Sequence, residues 1–140
     1  MGMEAFKSYF SFSFVRNPWD WQTSLYEYAL TCNSHHQHNF VKNLAGFDDY
    51  IRWRCTQEVR YQRDFIYSQD GAQLVDYVGR FERLEEDFGL VCSRFGVTAS
   101  LPRLRISKKK PYQCYYNAET RALVSRVFEP DIRLFNYTFS

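Results

Sequence analysis

No apolar run in this chain approaches the ~20 residues that a membrane-crossing helix needs, so a membrane-spanning role is not expected. The opening stretch, Met1 to Phe10, has neither the charged region nor the apolar region that marks a secretory leader. Cysteine is sparse: Cys32, Cys55, Cys92 and Cys114 lie far apart and form no Cys-x-x-Cys pair. That usage predicts reduced, mostly buried thiols in a cytoplasmic protein. Charge of one sign is not in excess either. With 18 basic and 16 acidic residues the formal net charge is +2, too balanced for bulk electrostatics to predict nucleic-acid binding. Repeats, low-complexity tracts and linkers are missing as well.

What is present is apolar and aromatic material, 45% and 19% of 140 residues, which argues for a folded chain and against disorder. The length suits a single domain, residues 1–140, with a core of its own.

The most informative stretch is Phe10 to Tyr28, FSFSFVRNPWDWQTSLYEY. Phe10, Phe12 and Phe14 alternate with Ser11, Ser13 and Val15, as on the two faces of a strand. Asn17 suits a helix N-cap and Pro18 the first helical position, where its missing N–H costs nothing. Asp20 falls in the first turn, favourable against the helix dipole. Trp21, Leu25 and Tyr28 recur at helical spacing and predict an apolar stripe reaching about Leu30, with Ser24 on its margin. Arg16 therefore leaves the carboxyl end of a strand where a helix opens. In α/β folds such a junction offers free N–H groups and a positive dipole end to an anion, and arginine adds a fork that fits phosphate. The plainer reading is a solvated strand end and an ordinary helix surface.

Further along, Leu74 to Gly79 is a compact β-like run. Leu84, Phe88, Val91 and Phe95 then follow at helical spacing, with Gly96 placed to end that helix. Asn117 suits the cap of a helix starting near Ala118, and Pro130 opens a last short one.

FVRNPWDWQTSLYEY resembles the 3′-phosphate-binding segment of sulfotransferases that use 3′-phosphoadenosine 5′-phosphosulfate (PAPS), in particular the carbohydrate sulfotransferase family with its bacterial members. That pattern runs hydrophobic-Val-Arg-x-Pro, with a serine eight residues after the arginine; Arg16 and Ser24 occupy the two positions. Many members carry a second arginine where this chain has Trp21. FDDYIRW, Phe47 to Trp53, is similar to the family's short helix after a variable loop. Leu74 to Val97 resembles its strand, acidic turn and helix. The stretch from Leu101 to Phe139 resembles its closing portion, with a basic loop and a Tyr-Tyr pair.

The resemblance covers the chain from about Phe10 onward. It implies an α/β, three-layer, P-loop-like sulfotransferase fold with a partial parallel sheet. It also implies PAPS, or the product 3′-phosphoadenosine 5′-phosphate (PAP), as ligand, and a carbohydrate or other hydroxyl acceptor. Arg16 and Ser24 would hold the 3′-phosphate, Phe81 would lie near the adenine, and Lys108, Lys109 and Lys110 would close over the nucleotide. Family members place a phosphate-cradling Lys/Ser-Gly loop and a catalytic His or Glu well upstream of Arg-x-Pro. Only 15 residues precede Arg16 here, and Lys7 and Ser8 do not form such a loop. The expectation is the carboxyl-terminal part of a sulfotransferase fold, inactive or incomplete as this chain alone, with the catalytic residues unknown. A non-enzymatic interaction module on the same scaffold is the alternative.

His35, His36 and His38 read first as a polar loop; an acceptor contact or a displaced base comes second, and no acid or cysteine at metal-site spacing completes a metal centre. The lysine run read alone is a solvated loop, and Phe81 read alone is a core residue. Basic and aromatic residues interleave in YIRWRC, VRYQRDF and VGRFER, as on single-stranded nucleic-acid platforms. Amphipathic burial produces the same pattern, so nucleic acid ranks last. An unprotected strand edge at Phe10 to Val15, with neither Pro nor Lys in it, predicts a homodimer through that region.

Overall fold

The computed structural model describes residues 10–96 and 110–140. In chain order these form β1 (Phe12–Val15), α1 (Pro18–Thr31), α2 (His38–Lys42), α3 (Phe47–Thr56), α4 (Arg63–Ile66), β2 (Tyr77–Arg80), α5 (Leu84–Arg94), α6 (Ala118–Val127) and α7 (Glu129–Leu134). Short 3-10 turns at Phe81–Arg83 and Tyr112–Tyr115 precede α5 and α6. Helix dominates the described residues, and the two strands pair in parallel, so the class is α/β. The chain divides into two compact units. The first is Met1–Arg16 with Gln62–Arg105, and the second is Asn17–Tyr61 with Ile106–Ser140.

In the first unit Phe12 lies opposite Tyr77, Phe14 opposite Gly79 and Val15 opposite Arg80. A parallel pair needs a long crossover, and here the connection contains α1 through α4. The phenylalanine face of β1 meets α5: the Phe10 and Phe95 rings stand 5.0 Å apart, and Phe12 and Phe88 6.4 Å apart. Gly79 is required by this packing. A Cβ there would collide with Cε1 of Phe14, lie 2.6 Å from its Cδ1 and stand 3.2 Å from Cβ of Asp87. Asp87 is itself buried on α5 and accepts the backbone N–H of Arg80 at 2.7 Å, fixing the helix to the end of β2.

The β-like run expected at Leu74 to Gly79 starts later than its composition implies. Leu74 N–H donates to the carbonyl of Ile66 at 2.7 Å, next to an antiparallel bridge between Tyr67 and Gln73, so a local turn claims it before the sheet begins. The helix after it follows the expected spacing. Val91 is buried, Leu84 and Phe88 are half-buried, and Gly96 ends α5 at a φ of 65°, the left-handed region that favours glycine.

The second unit packs around Phe47. Its ring lies 5.3 Å from Tyr26, 5.3 Å from Tyr115 and 5.1 Å from Tyr116, each edge-on, while Tyr50, Ile51, Val124 and Phe128 are buried beside it. Edge-to-face pairs of this kind add to plain area burial. Polar ends of the rings find partners. The Tyr116 hydroxyl donates to the Trp19 carbonyl at 2.7 Å and the Tyr115 hydroxyl to Glu27 at 2.8 Å, and burial holds both phenols above their usual ionisation range. Asn117 caps α6 reciprocally with Thr120, and Pro130 stands in the first turn of α7, both as the sequence predicts.

The inward face of α1 corrects the stripe expected from Trp21, Leu25 and Tyr28. Leu25 and Leu30 do pack, half-buried, against the core, but Pro18, Trp19, Gln22, Thr23 and Ala29 are the buried residues, and Tyr28 is exposed with its ring against His35. The helix is rotated because Gln22 takes a hydrogen bond from the Arg54 side chain, and because Tyr26 lies against Phe47 and Tyr50. The thiols also depart from expectation: all four are free, but Cys55 alone is buried, Cys32 and Cys92 are half-buried, and Cys114 is exposed. Among the described residues no helix is long and apolar enough to cross a membrane.

Candidate functional site

Arg16 follows the last residue of β1, at the carboxyl end of a parallel strand, where open α/β sheets place their ligands. Its backbone is held by one side chain. The Arg16 N–H donates to Oε1 of Gln62 at 2.8 Å, and Nε2 of Gln62 donates to the Arg16 carbonyl at 2.7 Å. The amide of Gln62, buried on the approach to α4, thus substitutes for a neighbouring strand. From this fixed backbone the guanidinium reaches over the Phe81 ring, with Cζ 3.9 Å from the ring centroid. Phe81 begins the turn after β2 and keeps 40% of its surface exposed, so the cation rests on a partly exposed ring.

At its other end β1 is clasped by Asp76, whose carboxylate accepts the Ser11 N–H at 2.9 Å while the Asp76 N–H donates to the Ser11 carbonyl at 2.8 Å. Side-chain clasps at both ends set where this short strand stops.

The helix end beyond Arg16 does not have the free amides expected of it. Asn17 Oδ1 accepts from Trp19 N at 3.0 Å and from Asp20 N at 3.4 Å, the Trp21 N–H donates to the Asn17 carbonyl at 2.8 Å, and Pro18 has no N–H. A residue chosen as a good cap consumes the donors that an anion would use. The Asn17 side chain is further tied to the Thr138 carbonyl at 3.0 Å.

Ser24 is half-buried on α1 in the second unit. Lys110 is exposed and its ammonium lies 5.9 Å from the Tyr115 ring. Lys108 and Lys109 lie outside the described residues. Of the expected site residues, Arg16 and Phe81 are thus brought into contact, with the ring supporting the arginine.

The histidines make loop contacts. Nδ1 of His35 accepts the Gln37 N–H at 3.0 Å, its ring stacks on His36 at 4.6 Å, and His38 Nδ1 sits 2.9 Å from the Ala29 carbonyl. Desolvation, followed by the neighbouring His36 and His38, lowers the pKa of His35. Among the described residues no group of three histidine, cysteine or acidic side chains is placed to hold a metal ion.

Three arginines of the interleaved stretches have acidic neighbours. Arg52 meets Asp49 at 3.3 Å and Glu119 at 3.2 Å, Arg60 meets Glu58 at 3.5 Å, and Arg83 meets Asp87 at 3.5 Å. Neutralised in this way they make a poor electrostatic track for a nucleic-acid backbone. Gln62 carries no sequence sign of its role, because a glutamine in a polar stretch normally faces water.

Compared with known proteins, the chain matches no family model, no curated protein and no solved structure.

Proposed function

We propose that this chain is a sulfotransferase-like protein that binds the 3′-phosphate of PAP or PAPS through Arg16. The observation that carries the reading is the arginine held by Gln62 at the end of a parallel strand and laid on Phe81. A guanidinium carries the planar fork that matches phosphate geometry, and an aromatic ring supports one face of it here. The Arg-x-Pro spacing of the sequence supplies Ser24 as the second phosphate residue and the three-layer fold as the architecture. A sugar or other hydroxyl compound is the acceptor class belonging to that reading.

The Asn17 cap limits the affinity, since it withholds the backbone donors that phosphate sites usually recruit. No residue is assigned as catalytic base, so sulfate transfer from PAPS by this chain alone stays at background. A homodimer through β1 belongs to the same reading: among the described residues β1 pairs with β2 only, and Phe12 keeps 41% of its surface exposed.

The test is calorimetric titration with PAP beside adenosine 5′-phosphate, which lacks the 3′ group. Weak binding of PAP alone, lost in Arg16→Ala, is expected. Equal binding of the two nucleotides overturns the reading.

A further inference from the structure

Among the described residues Arg54 has no charged partner. It lies on the inner side of α3 with 5% of its surface exposed, and its Nε donates to Oε1 of Gln22 on α1 at 3.1 Å. Its other recorded contact is a distant one, Cζ lying 6.0 Å from the Trp21 ring. Among the described residues no carboxylate oxygen lies within ion-pair distance of it. The nearest acid along its own helix direction, Glu58, has its carboxylate on Arg60 at 3.5 Å. Gln22 repeats the shortage. It is fully buried, and with Oε1 given to Arg54 its Nε2 has no acceptor. The amide orientation is the sensible one, since turning it over would set two donors face to face.

Gln22 Nε2 is thus a buried donor without an acceptor, beside an arginine whose Nη1 and Nη2 have no partner among the described residues. Guanidinium cannot shed its charge in a protein, and a buried amide donor left without an acceptor is costly. The Nε position is used, which leaves the Nη1–Nη2 end of the fork, shaped for two oxygens of one anion. We infer that Arg54 and Gln22 form a binding site for a small oxyanion, a phosphate or a carboxylate, within the second unit. The anion takes the Nη1–Nη2 fork, and Gln22 Nε2 is the further donor beside it. This site does not depend on the reading of Arg16.

The experiment follows thermal unfolding of the whole chain in chloride, in inorganic phosphate and in acetate at matched ionic strength. Phosphate stabilises most proteins through exclusion from their surface, so each midpoint is referred to that of Arg54→Met. At an anion concentration ten times its dissociation constant, the wild type should gain roughly 3–6 °C more than the variant. In chloride, Arg54→Met should fall below the wild type, because it leaves Oε1 of Gln22 buried without a donor as well as Nε2 without an acceptor. A gain in phosphate marks a phosphate-type ligand and a gain in acetate a carboxylate.

Gln22→Glu gives a second line of evidence should Arg54→Met fail to fold. It supplies the carboxylate from α1 itself, and should raise the midpoint in chloride while removing the extra response to either anion. Arg16→Ala should respond as the wild type does. Equal gains in wild type and Gln22→Glu, or in wild type and Arg54→Met, would overturn the inference. Either result would mean that water satisfies Gln22 or that Glu58 swings inward.

Discussion

Gln62 grips Arg16 by both polar groups of its backbone, at 2.8 and 2.7 Å. One side chain thereby takes both backbone groups of the residue to which we assign phosphate binding. Replacing Gln62 with alanine deletes two hydrogen bonds. At about 0.5–1.5 kcal/mol each, a loss of about 1–3 kcal/mol is expected, read from the urea midpoint. Gln62→Glu should cost at least as much, because a carboxylate cannot donate to the Arg16 carbonyl. An unchanged midpoint for both variants would show that water replaces the clasp freely.

That clasp also marks what sequence reasoning reaches. The strand end at Arg16, the cap at Asn17, the glycine stop at Gly96 and the cap at Asn117 were all legible, because each depends on a residue's own stereochemistry within one turn. The buried face of α1 was not. Trp21, Leu25 and Tyr28 are as apolar as a stripe needs. The helix turns Gln22 inward instead, because Arg54, 32 residues away in sequence, lies there to donate to it. The free amides expected at that helix end are missing for the opposite reason, since Asn17 fits the cap so well that they are already taken. Long-range polar partners of this kind leave no periodic trace in a sequence.

Gly79 should tolerate no side chain. Alanine there sets a methyl against the Phe14 ring and 3.2 Å from Cβ of Asp87. Overpacking of this kind costs about 1–3 kcal/mol. Trimming the ring should relieve it, so Gly79→Ala combined with Phe14→Leu is expected to cost less than the two single changes added. A double-mutant cycle by chemical denaturation checks this; strict additivity would mean that the two positions do not meet.

Alkaline pH should weaken the second unit through Cys55 and Tyr50. Burial is the larger cause in both. It pushes the Cys55 thiol up to about 11 against the pull of Arg54 and Arg126, and the Tyr50 phenol up to about 12. A raised acid keeps its proton in the folded state after the unfolded chain has released it. The contribution is therefore intact below the unfolded pKa and is lost as pH rises towards the folded value. For Cys55 that window runs from 9.0 to about 11. The slope there is about 1.4 kcal/mol per pH unit for one group. Cys55→Ala should lower stability at neutral pH through its cavity, yet flatten the fall between pH 9 and 11. At pH 8 a chromogenic thiol reagent should label exposed Cys114 quickly and buried Cys55 only on unfolding. An identical alkaline slope in the alanine variant would remove the thiol from this account.

The last prediction separates the arginine from its support, and it rests on the proposed nucleotide site. Phe81 touches Arg16 face-on at 3.9 Å while remaining 40% exposed, so its ring contributes to where the guanidinium points more than to any core. An exposed cation–π contact is worth about 0.5–1 kcal/mol, which corresponds to a two- to fivefold change in an equilibrium. Phe81→Leu should therefore weaken PAP binding by about two- to fivefold and move the unfolding midpoint little. Arg16→Lys keeps the charge and loses the planar fork, so about tenfold weakening is expected. Arg16→Ala should abolish binding. The order of effects is the measurement: alanine largest, lysine intermediate, leucine at Phe81 smallest. If Phe81→Leu removed binding as completely as Arg16→Ala, the ring itself would be the ligand's contact surface, and its role as a shelf for the arginine would be wrong.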